Sequence, residues 1–196
     1  MLNVALLKKM VEAALLAAGK PLSIQELAGL WISSTEISTT DLQILKTEIS
    51  TILKELAQTC VEEHGVELKE VASGFRFQVK LEVALQVSKL WAERPARYSR
   101  ALLETLILIA YRQPITRSEI EQVRGVSVNV QTIKTLLDFE WIKIVGQRNT
   151  PGRPRLYGTT PAFLDHFGLK NLEELPSLEQ LRETALAKRE SDDAIF

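Results

Sequence analysis

"KPLSIQEL", residues 20–27, returns as "QPITRSEI" at 113–120, 93 residues further along the chain. Each copy runs Pro, an aliphatic residue, Ser or Thr, then Glu three places on, then another aliphatic residue. Proline lacks an N–H and pushes the residue before it out of the α region, so Pro21 and Pro114 stop the helices that precede them. Ser23 and Thr116 stand where a hydroxyl accepts an early backbone N–H of a new helix. Glu26 and Glu119 stand where a carboxylate reaches back to the cap's own N–H. Leu22 and Ile115, one place before the caps, are positioned as hydrophobic staples.

The surroundings repeat as well. An apolar helix is predicted before each copy, at 2–18 and 100–111. A short helix and then a longer one follow, the longer ones at 41–59 and 128–140. Each half ends in a hairpin, "VELKEVASGFRFQVK" at 66–80 and "WIKIVGQRNTPGRPRLYGTT" at 141–160. Three helices and a two-stranded hairpin make a winged helix, a variant of the helix-turn-helix. The expected fold is therefore mainly α with small β-hairpins, an α+β chain of two tandem winged-helix domains. Their bounds are 1–92 and 97–168, joined around "WAERPARYS", with a C-terminal tail at 169–196. In the second wing, Thr150-Pro151-Gly152-Arg153 suits a type II turn and Pro154 marks an edge. Thr160-Pro161 starts a last short helix whose Phe163 and Phe167 fold back on the core. Leu178, Leu181 and Ala185 suggest a further amphipathic helix in the tail.

Composition is that of a soluble globular protein, with 45% apolar and 25% charged residues in 196. No apolar run approaches the roughly 20 residues that span a bilayer, and the longest, 101–111, contains Glu104. The opening "MLNVALLKKMVEAALLAAG" places lysines inside its apolar stretch and Glu12 after it, unlike a signal peptide. A lone Cys60 excludes an internal disulfide and suits a reducing, cytoplasmic setting. Net charge is −3 over 1–93, +5 over 94–168 and −3 over 169–196. That middle block is only modestly basic for a nucleic-acid partner.

Chemistry-bearing clusters are scarce. His64 and His166 lie in unrelated segments, no Cys/His pair has zinc spacing, and no glycine-rich loop precedes a helix. Cys60 has no base in its sequence context. No catalytic, cofactor-binding or metal-binding residue is expected, and the chain reads as a non-enzyme.

A winged helix invites a DNA-binding reading. In "VNVQTIKTLLDF", 128–139, Val130, Ile133, Leu136 and Leu137 face inward. Gln131, Thr132, Lys134, Thr135 and Asp138 face out, a single cation beside an acid. "DLQILKTEISTILKEL", 41–56, balances Lys46 and Lys54 against Asp41, Glu48 and Glu55. Major-groove readers need several cations and amides. A transcriptional regulator is thus the weaker alternative, with loose DNA contact through Arg148, Arg153 and Arg155 left open.

The leading helix points elsewhere. Val4, Leu7, Val11, Ala14, Leu15 and Ala18 form one stripe, and Leu6, Met10, Ala13 and Ala17 an adjoining one. Together they cover roughly 200° of the helix, about twice what one-sided packing needs. The second stripe calls for cover, by the chain's own second surface or, the sharper expectation, by another copy in a homodimer. In the second half, Leu103, Leu106, Ile107, Ala110 and Tyr111 share a face while Leu102, Leu108 and Ile109 spread round it. That helix is either central to its core or open to a partner.

Three segments taken together, "SRALLETLILIAYRQPITRSEIEQVRGV", "LLDFEWIKIVGQRNTPGRPRLYGTTPAFLDHFGLKNLEELP" and "VELKEVASGFRFQV", resemble the bacterial segregation and condensation protein B family. The resemblance runs from about residue 11 to 176, with "WISSTEISTTD" at 31–41 longer than usual. It implies a dimeric, tandem winged-helix accessory subunit of the SMC–kleisin condensin, acting in chromosome condensation and segregation. The implied partners are the kleisin subunit (segregation and condensation protein A) and, through it, the SMC ATPase, at the nucleoid. The family places dimerisation in the first module and kleisin contact largely in the second. Candidate kleisin contacts are Tyr111, Arg112 and Pro114 with Arg153, Pro154 and Tyr157 from the wing.

Overall fold

Both capping boxes form. Ser23 N–H donates to Glu26 Oε2 at 2.8 Å while Glu26 N–H donates to Ser23 Oγ at 3.2 Å. In the second copy Thr116 N–H donates to Glu119 Oε2 at 2.8 Å and Glu119 N–H to Thr116 Oγ1 at 3.3 Å. Leu22, Leu27, Ile115 and Ile120 are all buried, so each staple closes on the residue four places into its helix. The structure, a computed structural model, describes residues 3–31, 39–62, 64–90, 98–177 and 180. The polar stretch at 32–38, the joining segment at 91–97 and the proposed tail helix at Leu178, Leu181 and Ala185 lie outside them.

The first module comprises α1 (Val4–Ala17), α2 (Ile24–Trp31), α3 (Thr39–Glu62), β1 (Val66–Val71), β2 (Gly74–Val79) and α4 (Leu81–Val87). The second comprises α5 (Arg100–Arg112), β3 (Ile115–Thr116), α6 (Arg117–Arg124), α7 (Val130–Asp138), β4 (Ile142–Gln147), β5 (Arg155–Thr159) and α8 (Pro161–Phe167). Each has its own core. Leu7, Val11, Leu15, Leu27, Leu45 and Ile49 anchor the first; Leu106, Ile109, Ile120, Leu136, Trp141 and Phe163 anchor the second.

β1 and β2 pair antiparallel around the two-residue turn Ala72-Ser73, with Val71 opposite Gly74. The hairpin sits so close to the first capping segment that Leu22 and Phe75 exchange backbone hydrogen bonds at 2.9 Å. Gly74 makes that approach possible: its φ is +140°, and a Cβ there would lie 2.3 Å from Leu22 O. The second module widens the same contact into a strand, giving a sheet of order β3-β5-β4. This third strand was not visible in the sequence, since two residues carry no periodicity. At the tip, Arg153 N–H donates to Thr150 O at 2.9 Å and Gly152 takes φ +83°, as a type II turn requires.

Several expectations need correction. Val130 is 65% exposed and not in the core, because Asn129 caps α7 and the helix's first turn projects past the core edge. Val128, just before the cap, is buried in its place. Val4 is exposed, as the first turn of α1 overruns its core. Phe163 is buried, and Phe167, though 42% exposed, lies on core rings, its centroid 5.0 Å from that of Phe163 and 5.3 Å from that of Trp141. Residues 169–176 do not leave the fold at 168: Leu169 and Leu175 pack against the second core.

Candidate protein-binding site

The face of α5 that enters the core consists of Leu102, Thr105, Leu106, Ile109 and Ala110. That leaves Leu103, Ile107 and Tyr111 on its flank, with Ile107 46% exposed. α8 and the chain after it run alongside this flank. The result is a groove of about 350 Å³ lined by Leu103, Leu106, Ile107, Ala110 and Tyr111, Phe163 and Phe167, and Leu169, Leu175 and Pro176. Every lining side chain is apolar except for the Tyr111 hydroxyl, which donates to Pro176 O. Apolar surface in a concave seat is what an apolar segment of another chain displaces water from.

Polar locks hold the walls. Gln113 Oε1 accepts Thr159 N–H at 2.7 Å, and its Nε2 donates to Ala110 O at 3.2 Å, tying the end of α5 to β5. Thr105, fully buried on α5, donates to Ala101 O at 2.8 Å and accepts from Arg124 Nη1 at 3.2 Å. Arg124 also pairs with Glu104 at 2.9 Å, so the Arg124-Gly125 corner fastens α6 to α5. Backbone donation from Thr116 is the main cause holding the Glu119 carboxyl below the usual carboxylate range, with Arg148 adding to it. The Glu121 carboxyl is lowered too, chiefly by Val128 N–H and then by Arg117.

The six proposed kleisin contacts do not form one cluster. Tyr111 lines the groove. Arg112 and Pro114 border a separate shallow cleft with Ile115, Glu119, Gln122, Val123 and Arg148. Arg153 is exposed at the wing tip, and Pro154 O accepts Arg148 N–H at 2.9 Å. Tyr157 is only 8% exposed and packs in the second core, opposite Ile115 and Ile144 in the sheet, apart from the groove lining. Sequence reading missed Leu169, Leu175 and Pro176 as groove walls; the short, polar-interrupted "GLKNLEELP", with leucines every third residue, hid them in what looked like a tail.

Of the four residues proposed for the dimer, Leu6 is 54% exposed, Ala13 and Ala17 are exposed, and Met10 is half-buried at the edge of the core. Among the described residues, none covers this stripe. Leu16, 77% exposed, extends the surface and was not singled out. Leu81, Leu85 and Leu90 are exposed on and just after α4, a helix whose sequence signal is the four-residue spacing of Leu81 with Leu85 and of Val83 with Val87.

The faces that would meet DNA are poorly equipped. Lys134 is the one cation among the outward residues of α7, and Arg148 is paired with Glu119. Among the described residues, no group of three His, Cys, Asp or Glu could hold a metal ion. No described helix is long and apolar enough to cross a membrane.

Comparison with known proteins extends the geometry. The family described as "Segregation and condensation complex subunit ScpB" matches residues 9–178. The segregation and condensation protein B homolog of Coxiella burnetii is 51% identical over 174 residues, covering 89% of this chain and 79% of its own length. Segregation and condensation protein B of Geobacillus kaustophilus is 43% identical over 189 residues, covering 94% of this chain and 81% of its own. Among solved structures, one described as a dimer of the ScpB N-terminal domain complexed with ScpA peptide is 29% identical. It covers 50% of this chain and 100% of its own, with a TM-score of 0.37.

Proposed function

The chain belongs to the segregation and condensation complex subunit ScpB family, and from that premise we propose that it is a non-catalytic accessory subunit of the bacterial SMC–kleisin condensin. It works in the cytoplasm, at the nucleoid, in chromosome condensation and segregation. The first module, 1–92, pairs two copies through the outer stripe of α1. The second, 97–168 extended to Pro176, seats the kleisin in the groove between α5 and α8. The SMC ATPase is reached through the kleisin, whose path the paired subunits fix.

The observation that carries this reading is the apolar groove on α5, beside a recognition helix with a single outward cation. A grip on DNA needs the reverse, a cationic helix and a plain flank. Tagged full-length chain purified from its native cell should bring down the kleisin and the SMC ATPase. Recovery of neither, together with a preference of about a thousandfold for one duplex sequence, would identify a transcriptional regulator instead.

A further inference from the structure

The turn of the first hairpin does not end in solvent. Ala72 N–H donates to Leu169 O at 3.0 Å, and Ser73 N–H donates to Asp165 Oδ1 at 3.0 Å. Beside them Lys170 Nζ pairs with Glu70 Oε1 at 2.9 Å. The Lys69 stem comes so near that a Cβ on Gly168 would lie 4.0 Å from its Cε. Two successive donors of a tight turn thus find acceptors on the second module, and a charge pair flanks them. The acceptors are presented by the end of α8: Gly168 takes φ +67°, Leu169 N–H returns to Leu164 O at 2.8 Å, and the Leu169 carbonyl is left for Ala72.

The other side of this segment is the groove. Phe163, Phe167 and Leu169 are among its walls, so Leu169 offers its carbonyl to the first module and its side chain to the groove. We propose that the Ala72-Ser73 turn is a docking element for the end of α8, which clasps the two modules together and sets the shape of the kleisin groove behind it. The groove's occupant rests on the function proposed above; the clasp itself does not. Linkage then makes the effect reciprocal: a segment that prefers the clasped groove also tightens the clasp. A turn engaged in this way is withdrawn from any DNA backbone.

The test uses the full chain with Cys60→Ser and spin labels at Gln58→Cys and Lys134→Cys, diluted into unlabelled protein so that only the distance within one chain is read. The unmodified clasp should give one narrow distance distribution. Asp165→Ala with Lys170→Glu should broaden it, and Glu70→Lys combined with Lys170→Glu should keep it narrow. An unchanged distribution in the first pair overturns the clasp. In the same proteins, titration with the central segment of the kleisin should show affinity weakened by about fivefold or more when the clasp is broken, and recovered in the charge swap. Broadened distances with unchanged affinity would overturn the link to the groove. If the unmodified chain binds no kleisin segment, the proposed function fails, while the distances still decide the clasp.

Discussion

Laid over one another, the two modules share a capping box, a staple and a wing, yet face outward differently. In the first, Lys20 stands before Pro21 and pairs with Glu26 at the surface. In the second, Gln113 holds the same place and is spent inward, on Ala110 and Thr159. Five places beyond the cap's glutamate the first has Trp31 and the second Arg124, which is bound to Thr105 and Glu104. The first module turns its wing tip toward α8 and leaves the α1 stripe bare; the second pins its wing to Glu119 and opens a groove on α5. Shared residues make the unit, and the residues beside them decide what it touches.

The hardest way to break the comparison is through the shared staple. Leu27→Ala and Ile120→Ala each empty a fully buried site and should cost about 2–5 kcal/mol, read as a lowered midpoint in denaturant. A loss in only one would show that the modules do not depend alike on the motif. Next in size is the bare stripe. Leu6→Asp with Met10→Asp should halve the mass found by light scattering while leaving the circular dichroism intact, because about 1.5–3 kcal/mol of burial per large side chain would be lost from each copy. An unchanged mass in a folded protein would remove α1 from the dimer.

Arg124→Ala sharpens the contrast, since the first module has no equivalent. It removes the donors to Thr105 Oγ1 and Glu104, which keep only Ala101 O and Arg100 as partners, and should cost about 1–3 kcal/mol; no measurable loss would make the corner ornamental. The caps give a smaller effect. Thr116→Ala should cost about 1 kcal/mol and Ser23→Ala less, because Thr116 is buried and its Glu119 also holds Arg148. Equal losses would contradict that ordering.

Acid offers the gentlest probe. The Glu26 carboxyl is lowered to about 2, mainly by Ser23 N–H, and Glu119 is lowered in the same direction. Carboxyls whose folded pKa lies below the unfolded one bind more protons when unfolded. Their stabilisation is full above the ordinary carboxylate range and fades as pH falls from there toward about 2. A Glu26→Gln, Glu119→Gln double variant should show a flatter loss of midpoint over that window.

Fold class and repeat were legible because capping boxes and helical periodicity are local. Ser23, Glu26, Thr116 and Glu119 needed nothing beyond a few neighbours. Most of the outward side of α7 was readable for the same reason, Val130 apart. The groove was not, since it depends on how α8 and residues 169–176 lie against α5. Only its α5 wall was: Leu103, Leu106, Ile107, Ala110 and Tyr111, which share a face at helical spacing, are the α5 residues that line it. The burial of Tyr157 was hidden for a related reason: its place in the core comes from the pairing of β5 with β3 and β4, which no local pattern shows. Nor could any periodicity tell that the Ala72-Ser73 turn meets α8, across more than ninety residues.

The division of labour between the modules is tested most directly by light scattering on the full chain mixed with the kleisin's central segment. Unmodified protein should form a complex holding two copies and the kleisin. Ile107→Asp should stay a pair of copies without kleisin, since a carboxylate in an apolar groove loses its water with nothing to replace it. An Ile107→Asp protein that still carries the kleisin at undiminished affinity would contradict the account.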